Sequence, residues 1–506
     1  MTRRQLAVLV GLGVVVAAWC SLGVRVRATY GARLTADEPQ YVLSAISLAE
    51  DRDLDISDEL HDERWRAFHS PAQLPVQTKV LDGGRQISPH DPLLPALLAV
   101  PVALAGWMGA KVALALMAGA LAALVAWTAW RRFDVPFGLA VGGTALFAMS
   151  PPLAMYATQV YPELPAALVV AGCVAVLTAP RGPNGRTTAA VVALVVALPW
   201  LSVKYAPVTL TIAAVAAWQL WRAGRRDLLV RAGVALVGAG VAYAVFHQAV
   251  YGGWTPYAAG DHFVGGEATV MGVDVNLAGR ARRLIGLLVD RDFGLVPWQP
   301  AYLLLVPALS AAFGEFGSPW RTQVTESRRG FVVLVLPLLA GWLTATFVAL
   351  TMQGWWWPGR QVVVVLPCAV LLVLVLAARH RAAAIALVAL GAAGVVEFLW
   401  LMVEGLRHRL TLVVDFATTT DPLFRVWRHV LPDGRVTTDA AVALTAAWGA
   451  AALSVLVWRS RARLVTATAA ALVVVVLAAG AIRGWVDDGA GVRNVGAIPG
   501  VGRPDE

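Results

Sequence analysis

Two adjacent carboxylates stand out near the amino terminus, in Thr35-Ala-Asp-Glu-Pro-Gln-Tyr41. One acidic residue is enough to begin a helix at Pro39, because acids favour the positive end of the helix dipole and proline suits its first position. A second carboxylate adds a group that can accept a proton from an incoming hydroxyl. We interpret Asp37 as a candidate general base with Glu38 as its alternative, while a plain helix start explains the same residues about equally well.

Other ionisable residues lie where apolar segments end. Glu163 lies between two prolines, Lys204 is an isolated cation in an apolar run, and Arg360 follows a run of three tryptophans. Lys204 and Arg360 are candidate phosphate ligands, although snorkelling and interfacial anchoring also account for them. Glu163 is either a site residue or an acid at a helix start. The remaining site candidates are His90, Tyr41, Asp290, Arg291 and Trp356.

No metal or cofactor is predicted. Asp51-Arg-Asp53 is similar to a metal-binding DxD sequence, but a solvated turn explains it better, and a divalent metal therefore stays an unsupported option. The three cysteines lie within apolar runs and predict neither a disulfide nor a metal site. The chain has no P-loop and no dinucleotide-binding glycine motif. These absences favour a lipid-borne substrate over a nucleotide.

The composition predicts an all-α polytopic membrane protein. Of the 506 residues, 58% are hydrophobic and 14% are charged, which exceeds what one soluble core needs. At about 20 residues per crossing, the apolar runs predict thirteen transmembrane helices, near residues 6–25, 109–130, 136–155, 164–179, 187–203, 206–221, 232–249, 295–313, 331–351, 361–378, 383–402, 439–458 and 464–482. The apolar segment 92–106 is short and rich in proline, and we interpret it as an interfacial or re-entrant helix.

Arginine clusters follow every second predicted span, as the positive-inside rule requires of cytoplasmic loops. The net charge of +9 therefore reflects membrane orientation and predicts no binding to nucleic acid. The amino terminus is then cytoplasmic, and the candidate site residues share the opposite, outer face of a bacterial plasma membrane. We expect an acidic first outer loop, 28–91, with short interfacial helices, and a second outer loop, 404–438.

Several of these segments resemble the GT-C glycosyltransferases, and most of all the branch that contains protein O-mannosyltransferases and lipid A aminoarabinose transferases. The resemblance rests on the DE pair of the first outer loop, on Asp53-Leu-Asp-Ile-Ser57, Ser88-Pro-His-Asp-Pro-Leu-Leu94 and Tyr161-Pro-Glu163. Asp290-Arg-Asp-Phe-Gly-Leu-Val-Pro297 and Pro358-Gly-Arg-Gln361 are similar to actinobacterial members. The resemblance covers most of residues 1–380, which we interpret as a GT-C-like catalytic module. It fades over 381–506, which hold C-terminal transmembrane helices and a short tail.

This resemblance implies an inverting transfer of a sugar from a polyprenyl-phosphate donor to an acceptor hydroxyl. The base role falls on Asp37, or on Glu38, and the phosphate-binding role on Lys204 and Arg360. The partners are then the donor, membrane lipids and an acceptor that is a lipid, a glycan or a protein. A transporter or flippase of a lipid-linked sugar is the alternative, because the same charges would bind such a cargo.

Overall fold

A computed structural model describes residues 1–261, 263, 265–272, 275–316, 324–435 and 438–458. Within these ranges the chain forms eighteen α-helices, and the only β-pairing is a few isolated bridges. The all-α prediction is therefore confirmed for this part of the chain.

Several of the helices follow one another directly, and others are separated by longer segments, of which the longest lies in the first loop. The first nine are α1 (Arg3–Cys20), α2 (Glu38–Glu50), α3 (Ser57–His61), α4 (Leu93–Arg132), α5 (Phe137–Ala148), α6 (Leu153–Tyr156), α7 (Glu163–Leu177), α8 (Gly185–Leu201) and α9 (Ala206–Arg222). The others are α10 (Arg226–Tyr251), α11 (Leu277–Ala281), α12 (Arg283–Val289), α13 (Leu305–Phe316), α14 (Val324–Leu343), α15 (Leu366–Arg379), α16 (Arg381–Leu406), α17 (Pro422–Trp427) and α18 (Asp439–Trp458).

Six of the described helices are long and apolar enough to cross a membrane, namely α1, α4, α10, α15, α16 and α18, and shorter apolar helices lie among them. The protein is therefore a multi-pass membrane protein. Helix α15 is almost entirely buried at the centre of the bundle, whereas α10 exposes most of its apolar surface. An outward apolar surface of this kind is stable against lipid tails.

Twelve of the thirteen predicted spans overlap helices, and 464–482 lies outside the described residues. Several predicted boundaries differ from the helix ends, and two of the differences have a local cause. The helix expected over 136–155 ends at Ala148, because Pro151 and Pro152 cannot continue it. The helix expected from residue 295 begins only at Pro300 with a 3₁₀ turn, since Asp290 caps a loop in front of it.

The proline-rich segment before the second span forms the first part of α4. The helix breaks at Ala105 and Gly106, and Gly106 has φ +57, a conformation that glycine adopts without a steric penalty. Beyond the break the chain turns back so closely that a Cβ on Gly109 would clash with the Pro101 carbonyl oxygen. The segment is thus a short helical arm folded against the long helix.

One end of the bundle carries the first loop, and we call it the site end. Helix α2 of that loop packs on α4. Helices α7 and α9 begin at the site end, α8 ends there, and α15 is reached through a 3₁₀ turn, Arg360–Val365. These four helices place their terminal residues around one space beneath the first loop.

Candidate active site

Four of the candidate side chains form one continuous chain of ion pairs at the site end. Arg360 Nη2 donates to Asp37 Oδ2 over 2.7 Å, and Arg360 Nε donates to Glu163 Oε1 over 2.8 Å. Lys204 Nζ donates to the same Glu163 oxygen over 2.5 Å. Gln77 completes the chain by donating to Asp37 Oδ1 over 3.1 Å. Residues more than 300 positions apart in sequence therefore share one polar centre.

The ends of secondary-structure elements position each member. Asp37 immediately precedes α2, and Glu163 is the first residue of α7. Lys204 lies in the 3₁₀ turn between α8 and α9. Arg360 follows Gly359, whose φ of +82 turns the chain into the helical segment that leads to α15. The position of each residue at the end of an element sets the direction in which its side chain leaves the backbone.

The Arg360 guanidinium is also enclosed by aromatic rings. Its central carbon lies 3.9 Å from the ring centre of Tyr161 and 4.9 Å from that of Trp356. Such cation–π contacts suit arginine, whose planar group stacks on a ring while its edge donates hydrogen bonds. Only 7% of the Arg360 side chain is exposed, against 24% for Lys204 and 22% for Asp37. Asp37 and Lys204 are thus the charged groups that solvent or a ligand reaches most easily.

The two adjacent carboxylates of the first loop have different environments. Burial alone would raise the pKa of Asp37, but Arg360, then His90 and the Gln77 amide, hold it well below its usual range. Burial raises the pKa of Glu38 against the opposing charge of Lys111. Asp37 is therefore ionised at neutral pH and faces the cavity described below.

Glu38 points the other way, as the constraint of the following proline predicts. Its carboxylate is fully buried and accepts hydrogen bonds from the backbone amides of Thr35, over 3.1 Å, and Val160, over 2.7 Å. These contacts join the first loop to the segment that precedes α7. Glu38 thus lies beside the site as a support for the backbone, out of contact with the ion-pair chain.

A cavity of about 510 Å³ opens beside the ion pairs. Its polar wall includes Asp37, Lys204, Arg360, Gln77, Tyr257 and Trp356, and its apolar wall includes Pro207, Val208, Ala345, Val348 and Val364. Two further candidates, Tyr41 and His90, line it as a stacked pair with ring centres 4.5 Å apart. The cavity therefore combines an ionic end with an apolar channel between α9 and the segment following α14.

Asp290 and Arg291 lie apart from this cavity. Asp290 accepts hydrogen bonds from the backbone amides of Asp292 and Phe293, and from that of Gly434 in the second loop. Arg291 pairs with Asp433 over 2.7 Å. These residues join the loop after α12 to the segment that precedes α18, and the structure does not bring them to the other candidates.

Two groups that support the site were not among the predicted site residues. Gln77, in an irregular part of the first loop, has no motif around it. Asp91 is buried and accepts from the Val203 backbone amide over 2.8 Å, while its other oxygen meets His247 Nε2 at 3.1 Å. Asp91 thereby fixes the turn that carries Lys204. It stands within a quoted sequence motif, but only the fold reveals that α10 supplies its histidine.

The fold can be compared with known proteins on this basis. No family model matches the chain, and neither does any curated protein. Among solved structures, ArnT from Cupriavidus metallidurans bound to undecaprenyl phosphate is similar, at 16% sequence identity and a TM-score of 0.50 over 98% of this chain and 78% of that one. The apo state of the same protein aligns at 15% identity and a TM-score of 0.47, over 97% and 77%. At this level of identity the likeness concerns the fold alone, and it agrees with the predicted fold class, a GT-C-like bundle of membrane helices.

Proposed function

We propose that this protein is a membrane glycosyltransferase that moves a sugar from a polyprenyl-phosphate donor to an acceptor hydroxyl. One observation carries the proposal: a solvent-accessible carboxylate, Asp37, and two cations, Lys204 and Arg360, meet at the polar end of a cavity with an apolar wall. An amphiphilic phosphate with a long isoprenoid tail matches both walls. Undecaprenyl phosphate is the ligand of the similar ArnT structure.

The reaction is a single displacement at the anomeric carbon. The acceptor oxygen forms a bond to that carbon as the bond to the phosphate oxygen breaks, so the configuration inverts. Asp37 takes the proton of the acceptor hydroxyl, and the bonding electrons leave with the lipid phosphate. Lys204 and Arg360 stabilise the negative charge that develops there. Lys204 has three N–H donors and gives one to Glu163, which leaves two for the phosphate.

The ion pair between Asp37 and Arg360 links binding of the sugar donor to the basicity of Asp37. In the free protein Arg360 lowers the pKa of Asp37 and so weakens it as a base. A donor phosphate that binds the guanidinium competes with Asp37 for the same donor groups. Asp37 then loses part of its counter-charge and becomes a stronger base once the donor is in place. Glu163, shared by both cations, keeps them together throughout.

The arginines support a site that faces the outside of a bacterial plasma membrane. Helices α9 and α15 begin at the site end and finish at Arg222 and Arg379, while α4 finishes at Arg131 and Arg132. By the positive-inside rule this arginine-rich end is cytoplasmic. The donor then enters sideways from the outer leaflet, with its tail along the apolar wall of the cavity.

The test is sugar transfer by the purified protein in lipid nanodiscs. Polyprenyl-phosphate donors with a labelled sugar are offered together with lipid, glycan and peptide acceptors, and labelled product and released polyprenyl phosphate are both measured. We expect Asp37→Asn to lower kcat by about 10²- to 10⁴-fold, the usual contribution of a general base. Asp134→Asn is the matched control, because Asp134 is exposed and follows the arginine-rich end of α4.

Unchanged turnover in Asp37→Asn would contradict the assigned base. Lys204→Gln is expected to raise the KM for the donor at least tenfold, because one charge-assisted contact to phosphate is lost. Movement of intact labelled donor between leaflets, with no release of polyprenyl phosphate for any donor and acceptor, would instead favour the transporter alternative.

A further inference from the structure

Three carboxylates of the first loop converge at a point outside the cavity. Asp51 follows the last residue of α2, and Asp58 and Glu59 belong to α3. One carboxylate oxygen from each of the three lies within 4.8 Å of the other two. At the axial rise of about 1.5 Å per residue, the thirteen residues of α2 put this group roughly 20 Å from Asp37.

Glu59 differs from an ordinary surface acid. The residue is only 2% exposed, and its buried Oε2 accepts no hydrogen bond from any residue that the structure describes. A buried carboxylate oxygen without a donor is costly, and an explanation for it is needed.

The positive side chain of Arg64 acts on the group only at longer range. Among the described residues no lysine or arginine forms an ion pair with Asp51, Asp58 or Glu59, and the nearby Arg64 pairs with Glu50 over 2.7 Å. Asp51 also lies at the carboxyl end of α2, where the helix dipole is itself negative. Three carboxylates and a helix terminus of the same sign repel one another unless a cation lies between them.

The arrangement differs from the DxD pattern of the sequence. Asp53 accepts a hydrogen bond from the Ser47 hydroxyl over 2.9 Å and another from the Asp55 amide, which closes a turn. Its place beside Asp51 is taken by the two acids of α3, seven and eight residues further along the chain.

We propose that Asp51, Asp58 and Glu59 bind a hard divalent cation of the Ca²⁺ type. Ca²⁺ takes oxygen ligands at about 2.3–2.6 Å, so two of its ligand oxygens can be up to about 5 Å apart, as the observed spacing allows. Two exposed carboxylates leave room for the waters that complete its coordination shell. The cation joins the end of α2 to α3 and so stabilises the loop whose other end carries Asp37.

Calcium binding is tested on the full-length protein in detergent, after a chelator has removed bound metal. Isothermal titration with CaCl₂ is expected to give one site per chain, and CaCl₂ is expected to raise the apparent unfolding temperature. Glu59→Gln, which is nearly isosteric, and Asp58→Asn should each weaken binding at least tenfold. Asp62→Asn is the matched control, since it removes an exposed negative charge next to α3 and should leave binding unchanged.

Asp51→Asn decides the question if Glu59→Gln misfolds, because Asp51 is exposed and its replacement disturbs no core contact. The proposal is overturned if the wild-type protein binds no Ca²⁺. It is also overturned if binding survives the ligand substitutions, or if Asp62→Asn weakens it as much as they do, which would indicate diffuse charge attraction. Neither measurement uses a sugar donor, so its outcome is independent of the proposed transferase reaction.

Discussion

Replacing Arg360 with glutamine should weaken the pH dependence that Asp37 gives to stability. In the wild-type protein Arg360 holds the pKa of Asp37 below its usual range, which is about 4 in an unfolded chain. The ion pair then stabilises the fold above about pH 4, and this stability is lost as the pH falls through the lower native pKa. Without Arg360 the effect of burial on Asp37 is opposed only by His90 and the Gln77 amide.

In the variant the pKa of Asp37 rises from its low wild-type position toward the unfolded value. The stability that Asp37 contributes above about pH 4 is therefore smaller, and as the pH falls it is lost at a higher pH than in the wild-type protein. Two charges about 4 Å apart attract by about 4 kcal/mol at an effective dielectric constant of about 20, which corresponds to about 3 pKa units. Because 22% of the Asp37 side chain is exposed, we reduce this to roughly 1–3 units.

The measurement is thermal unfolding of the purified protein between pH 2 and pH 7, followed by the fluorescence of its 20 tryptophans. Removing one partner of a buried ion pair costs about 3–5 kcal/mol. We expect a difference near the lower end of that range at pH 7 and a clearly smaller one at about pH 2–3. Arg225→Gln is the control, since it removes an exposed pair with Asp227 worth at most about 1 kcal/mol. Parallel pH curves for wild type and Arg360→Gln would refute the electrostatic reasoning.

Two further substitutions test residues that support the site. Glu38→Gln keeps one acceptor oxygen but cannot accept hydrogen bonds from both the Thr35 and Val160 amides. We therefore expect a loss of about 1–3 kcal/mol in unfolding free energy, with normal turnover per folded molecule. A selective fall in kcat would instead assign Glu38 a chemical role. His247→Ala removes the partner of Asp91 and should loosen the turn that carries Lys204. We expect the KM for the donor to rise several-fold at unchanged kcat. An unchanged KM would contradict this positioning role of His247.

The helical architecture was predictable because it depends on local patterns. Runs of about 20 apolar residues and the alternation of arginine clusters are properties of adjacent sequence, and they located twelve helices. The failures arose where a break depends on the packing around it. The turn at Gly106 and the delayed start at Pro300 depend on contacts with residues outside those windows.

The site was predictable only as a set of residues at one face. The predicted membrane topology placed four residues at the same end of the bundle, namely Asp37, Glu163, Lys204 and Arg360. Such an argument predicts a shared end and does not predict which side chains are in contact. The same topological argument placed Asp290 and Arg291 at this end of the bundle, but their side chains pair with the segment before α18 instead. The pairing of Asp37 with Arg360 joins residues 323 positions apart, and no local pattern encodes a contact of that range.

Each of these residues also had a simpler structural interpretation, such as beginning a helix. The contacts of the side chains distinguish that interpretation from a role in the site. Asp37 precedes a helix, but its side chain makes no capping hydrogen bond and is used by Arg360 and Gln77 instead. Glu163 begins a helix, yet its carboxylate binds two cations from other segments. A capping acid accepts hydrogen bonds from the backbone of its own helix, whereas these acids form ion pairs beside a cavity with cations that are distant in sequence. That arrangement costs desolvation of four charges, and a site that must bind and release a phosphate is a physical reason to retain it.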